Sequence, residues 1–112
     1  VQVSYAQSSL GKVDIAAAAA RLRHALEVDH HYRDETLGLA KLAAHVQLTP
    51  HQLSELLNTH FESSFSQFVR RYRVQAAARM LIEEPRASVL SVGLSVGFAS
   101  QSTFYAAFKE ET

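Results

Sequence analysis

Four polar side chains are suited to recognising a nucleic acid by hydrogen bonds. Gln101, Ser102 and Thr103 follow one another directly, and Asn58 lies about midway along the chain. A Gln or Asn amide donates and accepts at once, which suits a paired contact to adenine, while Ser and Thr hydroxyls bond several bases or contact the thymine methyl group. These residue types therefore predict hydrogen-bond readout of base edges.

Catalytic and metal chemistry have no comparable set of residues. Catalysis needs a nucleophile, a base and an orienting group, or paired carboxylates around a cleft. The acids are instead scattered on faces that we expect to be exposed, and no phosphate-cradling glycine loop is present. The six histidines include no i, i+4 pair with a nearby acid, as a helical zinc site requires. We expect neither an enzyme nor a bound metal or cofactor.

Length and composition predict a small folded protein. The 112 residues suffice for one compact body or two very small ones, and 47% of them are hydrophobic. No apolar run approaches the roughly twenty residues of a membrane helix, and no signal peptide is recognisable. The absence of cysteine excludes disulfides and is compatible with a reducing cytosol. We expect a cytoplasmic protein, and a first residue of Val rather than Met predicts a fragment of a longer one.

The polar groups lie within two copies of one apolar pattern. The first copy reads Leu39, Leu42, Ala43, Val46, Leu48, Thr49, Leu53, Leu57, and the second reads Val89, Val92, Gly93, Val96, Phe98, Ser100, Phe104, Phe108. The offset is 50 residues until Phe98 and 51 from Ser100 onward, so the second turn has one extra residue. In each copy a short helix ends and a Thr or Ser caps a second helix that buries residues four apart. This is the pattern of a helix-turn-helix, written twice.

A long helix is predicted between the two copies, from Phe65 to Glu83, with Ser64 as its cap and Pro85 as its stop. Its apolar stripe is expected to be Phe65, Phe68, Val69, Tyr72, Ala76, Met80 and Leu81. The other faces carry Arg70, Arg71, Arg73 and Arg79, with Glu62, Glu83 and Glu84 as possible partners. Such a rod is about 28 Å long.

The N-terminal region is predicted to hold one more helix, capped by Asp14 and running to Val28, with Ile15, Ala18, Leu22, Ala25 or Leu26 buried. Its alanine run suits either a packed helix or a simple spacer. Tyr32 is expected to fold onto the body, and Thr36 to open the first helix-turn-helix.

The predicted class is all-α, with two helix-turn-helix subdomains joined by a long central helix as a homeodomain-like pair. The predicted divisions are a linker or lead-in over 1–13, an N-terminal helix and connector over 14–35, the first helix-turn-helix over 36–63, the central helix over 64–84, and a C-terminally truncated second helix-turn-helix over 85–112.

This organisation suits DNA, because a helix fits the major groove and the second helix of each unit presents its N-terminal half to base edges. A rod of about 28 Å could hold two such helices near one DNA turn of about 34 Å, so that they enter successive major grooves. Backbone N–H groups beside Thr49 and Ser100 would suit phosphate oxygens, and Arg70 and Arg71 would add positive charge.

A second function fits the same pattern. Two helix-turn-helix units can form a structural bundle or a protein-docking module, and a net charge of zero favours that interpretation over DNA binding, for which a basic surface is expected. The arginines would then be an ordinary solvated face. Spacing alone does not decide between DNA binding and protein docking.

Three stretches resemble the DNA-binding domain of AraC/XylS-type transcription regulators: LGLAKLAAHVQLTPHQLSELLNTHF, RYRVQAAARMLIE and SVLSVGLSVGFASQSTFYAAFK. The part GFASQSTFYAAFK is the most specific, and the resemblance covers roughly Thr36 to Lys109. It implies a bacterial activator or repressor that binds double-stranded DNA, contacts RNA polymerase and has a sensing domain N-terminal to Val1.

The resemblance also implies which residues touch DNA. The first reading helix would use His51, Ser54 and Glu55, and the second would use Gln101, Ser102, Thr103 and Tyr105. Contacts to the DNA backbone are expected from Thr49, Asn58, Arg70, Arg71, Ser100 and Lys109.

The chain departs from that family at several positions. Glu62-Ser63-Ser64 replaces a turn that usually contains Gly, Gly93 stands where Ala is common, and Ala106 stands where a basic residue is frequent. The family's closing Gly–x–x–Pro–x–x–Tyr–Arg segment is missing, and Glu55 would repel phosphate. The second unit is therefore expected to be the better reader.

Overall fold

The computed structural model describes residues 10–11 and 13–112, so most of the predicted lead-in lies outside the described residues. The described chain contains α1 (Ile15–Glu27), a 3₁₀ helix (His31–Arg33), α2 (Leu39–His45), α3 (Pro50–His60), α4 (Phe65–Glu83), α5 (Val89–Ser95) and α6 (Gln101–Glu111). The predicted all-α class is confirmed for this part of the chain. None of its helices has the length and apolarity needed to cross a membrane.

The first compact unit combines the described residues up to His30 with Leu37–Phe65. Helix α1 begins as predicted, because the Asp14 carboxylate accepts a hydrogen bond of 3.1 Å from the Ala17 N–H. Its buried face comprises Ala18, Ala19, Leu22, Ala25 and Leu26, so α1 is a packed helix and not a spacer. Ile15 was expected in that face but is exposed.

The α2–α3 pair forms the first helix-turn-helix of this unit. The turn is closed by a 3.0 Å hydrogen bond from the Leu48 N–H to the Ala43 carbonyl, with Gln47 in the left-handed region at φ 63°. Thr49 caps α3 as predicted: its hydroxyl accepts from the Gln52 N–H at 3.1 Å, and the Gln52 side chain accepts from the Thr49 N–H at 3.0 Å. Both bonds satisfy N–H groups that a helix start leaves without a partner.

Thr36 does not open α2, which corrects the prediction. The helix starts at Leu39, and Gly38 precedes it without any side-chain cap. The Thr36 N–H and hydroxyl instead donate to the Asp34 carboxylate at 2.9 and 2.7 Å. Because the Asp34 carboxylate two residues earlier accepts from both groups, it holds Thr36 in a turn of the connector, and the hydroxyl does not cap the helix.

The second compact unit consists of His31–Thr36 and Ser66–Thr112. Its helix-turn-helix, α5–α6, repeats the first turn closely, since the Phe98 N–H donates to the Gly93 carbonyl at 3.0 Å and Gly97 takes φ 110°. Leu48 and Phe98 donate the matching bonds of the two turns. The cap Thr49 follows Leu48 directly, whereas Ala99 lies between Phe98 and the cap Ser100, so Ala99 is the extra residue of the second copy. Ser88 caps α5 as predicted, accepting from the Ser91 N–H at 3.0 Å.

Helix α4 has the predicted bounds but a different buried face. Its buried residues are Phe68, Val69, Val74, Ala76 and Ala77. Phe65, Tyr72, Met80 and Leu81 were expected to be buried and are only half-buried. At 100° per residue, Val74 and Ala77 lie on the side of the helix away from most of the predicted stripe, so the buried surface extends further around α4 than the apolar spacing predicted.

Candidate nucleic-acid interface

The N-terminal half of α6 has an exposed polar face, and the opposite face of the helix is apolar and buried. Phe104 is only 1% exposed and Ala107 is also buried, which anchors the inner face of the helix. All four residues predicted to read bases from this helix are exposed: Gln101, Ser102, Thr103 and Tyr105. The structure therefore brings the predicted second reading set together on one accessible half-helix.

Hydrogen bonds within α6 already orient part of this surface. The Gln101 side-chain amide donates to the Tyr105 hydroxyl at 3.1 Å, and Tyr105 stacks on Phe104 with ring centroids 6.1 Å apart. The Ser100 hydroxyl accepts from the Thr103 N–H at 3.1 Å and shares a 2.9 Å hydrogen bond with the Thr103 hydroxyl. Gln101 is thus held by a neighbour, and Thr103 is partly engaged in capping the helix.

Close packing fixes α6 against α5. A Cβ atom added at Gly93 would lie 2.8 Å from Phe104 Cδ2, inside ordinary contact distance. The Phe104 ring also packs on Phe98 and Phe108, with centroid distances of 5.2 and 5.9 Å. The departure at Gly93 therefore has a physical reason, because a large aromatic ring on α6 occupies the space that an alanine methyl group would fill.

The first reading helix, α3, exposes less of its predicted set. Leu53, Leu56 and Leu57 bury its inner face. Of the predicted readers, His51 is exposed, whereas Ser54 and Glu55 are half-buried; Asn58, predicted to contact the DNA backbone, is exposed.

Arg70 and Arg71 of α4, which were predicted to contact the DNA backbone, form ion pairs with acids on the C-terminal turn of α6. Arg70 Nε lies 2.9 Å from Glu111 Oε2, and Arg70 Nη2 lies 3.4 Å from Glu110 Oε1. Arg71 Nε lies 3.7 Å from Glu111 Oε1. The ion pairs thus use Glu110 and Glu111 instead of the acids suggested by the sequence. Because 46% of the Arg71 side chain and 25% of the Arg70 side chain is exposed, Arg71 is the more accessible to phosphate.

Arg73 does not share the solvated face assigned to it from the sequence. Its Nε donates to the Tyr32 carbonyl at 2.7 Å and its Nη2 to the Asp34 carbonyl at 2.9 Å. Desolvation by burial lowers the pKa of Arg73, against the opposing effect of the Asp34 and Glu35 charges. Both acceptors come from the connector, so no local pattern in α4 signals this role.

Within the described part of the chain, no three His, Cys, Asp or Glu side chains cluster in a way that could hold a metal ion. His24 Nδ1 lies 3.3 Å from Asp29 Oδ2, and both side chains are exposed.

Comparison with known proteins places this geometry among DNA-binding regulators. A family model described as a helix-turn-helix domain, of the AraC type, matches residues 42–112. The arabinose operon regulatory protein of Escherichia coli (strain K12) is 31% identical over 93 residues, which cover 82% of this chain and 32% of that protein. Its counterpart from Salmonella typhimurium is also 31% identical over 93 residues, with 82% and 33% covered. The chain thus spans about a third of the length of these curated relatives.

A solved structure supports the fold. The C-terminal domain of the two-component response regulator yesN from Fusobacterium nucleatum superposes with a TM-score of 0.70 at 21% identity, covering 84% of this chain and 96% of that one. At this identity the likeness concerns the fold alone. The predicted pair of helix-turn-helix subdomains is confirmed.

Proposed function

The chain belongs to the AraC-type family of helix-turn-helix DNA-binding domains, and we propose on that basis that it reads two successive major grooves of double-stranded DNA. The resemblance inferred from the sequence is thereby confirmed. The observation that carries the groove-reading proposal is the N-terminal half of α6, where Gln101, Ser102, Thr103 and Tyr105 are exposed above the buried Phe104.

In the proposed complex, α6 lies in the major groove with its capped end toward the bases. The Gln101 amide contacts adenine through its carbonyl oxygen and its second amide hydrogen. Ser102 and Thr103 contact neighbouring bases, and the N–H groups at the helix start bind a phosphate oxygen near Ser100. Arg71 and Lys109 contribute phosphate contacts that carry no sequence information.

In the same proposal α3 is the weaker reader. His51 is exposed at its start, while Ser54 and Glu55 reach the groove from half-buried positions. Glu55 can accept from a cytosine amino group but repels phosphate. Thr49 and Asn58 would then hold this helix on the DNA backbone.

A longer protein that contains this domain would have further parts and partners. The curated relatives are arabinose operon regulatory proteins and reach well beyond the matched region. We infer a sensing domain N-terminal to Val1, a contact with RNA polymerase, and action in the cytoplasm by binding and not by catalysis.

The test is selection of bound sequences from a random duplex pool, followed by affinity measurements on the winner at several salt concentrations. Two enriched blocks about one DNA turn apart and a steep salt slope are expected. Gln101→Ala would weaken the block read by α6 and leave the other block unchanged. A single block would mean that one unit reads bases, and no enrichment would favour the protein-docking alternative.

A further inference from the structure

The connector His31–Thr36 is built into the second unit, although it precedes the whole first helix-turn-helix in sequence. Tyr32 is buried and stacks on Tyr72 of α4, with ring centroids 6.3 Å apart. Arg73, one residue further along α4, donates to the Tyr32 and Asp34 carbonyls at 2.7 and 2.9 Å. One guanidinium therefore holds two successive segments of connector backbone.

The same guanidinium lies against the turn of the second helix-turn-helix. Gly97 adopts φ 110°, and a Cβ atom added there would collide with the Tyr32 carbonyl oxygen and lie 2.7 Å from Arg73 Nε. The turn can approach this closely only because the residue is glycine, which tolerates positive φ and has no side chain. Connector, arginine and turn thus meet without intervening space.

Contacts continue from the turn to the reading helix. The Arg73 guanidinium carbon lies 5.9 Å from the centroid of the Phe98 ring, a cation–π geometry. The Phe98 ring packs on the Phe104 ring at 5.2 Å, and Phe104 is the buried anchor of α6. A continuous set of contacts therefore joins the connector to the helix that carries the base-reading side chains.

The chemistry of this contact requires arginine. Charge-assisted hydrogen bonds from a planar fork fix the direction of both acceptors, and a lysine ammonium offers a single charged point instead. Removing the fork would deprive two carbonyls of their charged donor and would leave the turn without its packing partner.

We propose that Arg73 is a positioning residue for DNA reading, because it holds the connector against the Gly97 turn and so sets the orientation of α6. The inference rests on the proposed role of α6 as a base reader. Arg73 would therefore affect which DNA sequence is preferred although it does not itself contact DNA.

The test compares Arg73→Met with Arg79→Met. Both changes remove one positive charge from α4, but Arg79 is exposed and makes no hydrogen bond or ion pair among the described residues. Selection from a random duplex pool is expected to give the wild-type motif for Arg79→Met. For Arg73→Met the block read by α6 is expected to lose preference on the order of tenfold, while the block read by α3 and the salt slope match those of the control.

Amide hydrogen exchange on the DNA-free chain provides a second readout. Arg73→Met is expected to speed exchange at the turn and the start of α6, residues 97–104, and to leave α1–α3 unchanged. Arg73→Lys, which keeps the charge, is expected to fold and to show an intermediate loss in both measurements.

Identical motifs and identical exchange for Arg73→Met and Arg79→Met would overturn the proposal. If Arg73→Met unfolds the second unit, Arg73→Lys decides, and wild-type preference with wild-type exchange in that variant would overturn it as well. If the wild-type chain enriches no sequence, the proposed function fails, and the exchange comparison still tests whether Arg73 holds the turn.

Discussion

The Gln101 side-chain amide donates to the Tyr105 hydroxyl across one turn of α6, at 3.1 Å. This bond uses one amide hydrogen of Gln101 and leaves the carbonyl oxygen and the second hydrogen available, which are the two groups that a paired contact to adenine needs. Tyr105 is 52% exposed, but its ring stacks on the buried Phe104 ring, which fixes the position of the hydroxyl. Tyr105 therefore orients Gln101.

Gln101→Ala is expected to cost about 1–3 kcal/mol of binding free energy at the preferred site and to relax base preference at one position. Tyr105→Phe keeps the ring and removes only the orienting hydroxyl, so a smaller loss at the same base position is expected. Affinities for sites substituted at that position measure both effects. When Gln101 is already alanine, adding Tyr105→Phe is expected to change the base preference at that position no further. If the losses of preference in the two single variants instead add up in the double variant, Tyr105 acts independently of Gln101.

Ser100→Ala is expected to reduce the free energy of unfolding by about 1 kcal/mol, because the hydroxyl caps α6 through the Thr103 N–H. Ser100→Gly is the matched control, with an expected loss of a few tenths of a kcal/mol. Urea unfolding followed by circular dichroism measures both variants. No measurable loss for Ser100→Ala would mean that the hydroxyl contributes little to the stability of α6.

Arg71→Ala is expected to weaken binding to all sequences alike and to reduce the salt slope by about one, if the guanidinium contacts phosphate. Arg70→Ala is the comparison, since Arg70 is less exposed and faces both Glu110 and Glu111. A smaller change in slope is expected for it. A loss confined to certain sequences would assign Arg71 to base reading instead.

Glu111→Gln is expected to have the opposite effect on DNA binding. Its carboxylate lies 2.9 Å from Arg70 Nε and 3.7 Å from Arg71 Nε. Removing its charge takes away the ion-pair partner of Arg71 and leaves Arg70 with its 3.4 Å contact to Glu110, so more positive charge is available to phosphate. Affinity for random duplex DNA at low salt is expected to rise, with a steeper salt slope. Unchanged affinity would indicate that these two arginines lie away from DNA.

Gly93→Ala is expected to destabilise the second unit by about 1–3 kcal/mol, because the new methyl group would overlap the Phe104 ring. Helix propensity alone predicts the opposite sign, a gain of about 0.5–1 kcal/mol. Denaturant unfolding distinguishes the two. Combining Gly93→Ala with Phe104→Leu is expected to cost less than the sum of the single changes, since the smaller side chain relieves the overlap.

The helix starts were predictable because their causes are local in sequence. Thr49 and Pro50, Ser88 and Ser100 each mark a helix start through bonds that span three residues. The duplicated apolar spacing located both helix-turn-helix units for the same reason. Thr36 was misassigned because Asp34, two residues away, competes for its hydroxyl, and both alternatives are equally local.

The all-helical class, the two copies of one turn, the polar surface of α6 and the family all follow from the amino-acid sequence alone. All of these depend on residue types and on spacings of three or four positions. The contacts of Arg73 depend on the three-dimensional fold, because its acceptors lie 41 and 39 residues earlier in the chain. The fold likewise sets which acids pair with Arg70 and Arg71, some 40 residues later in the chain. Such residues come into contact because packing brings distant segments together, and the residue spacing within one helix does not predict which distant segment packs against it.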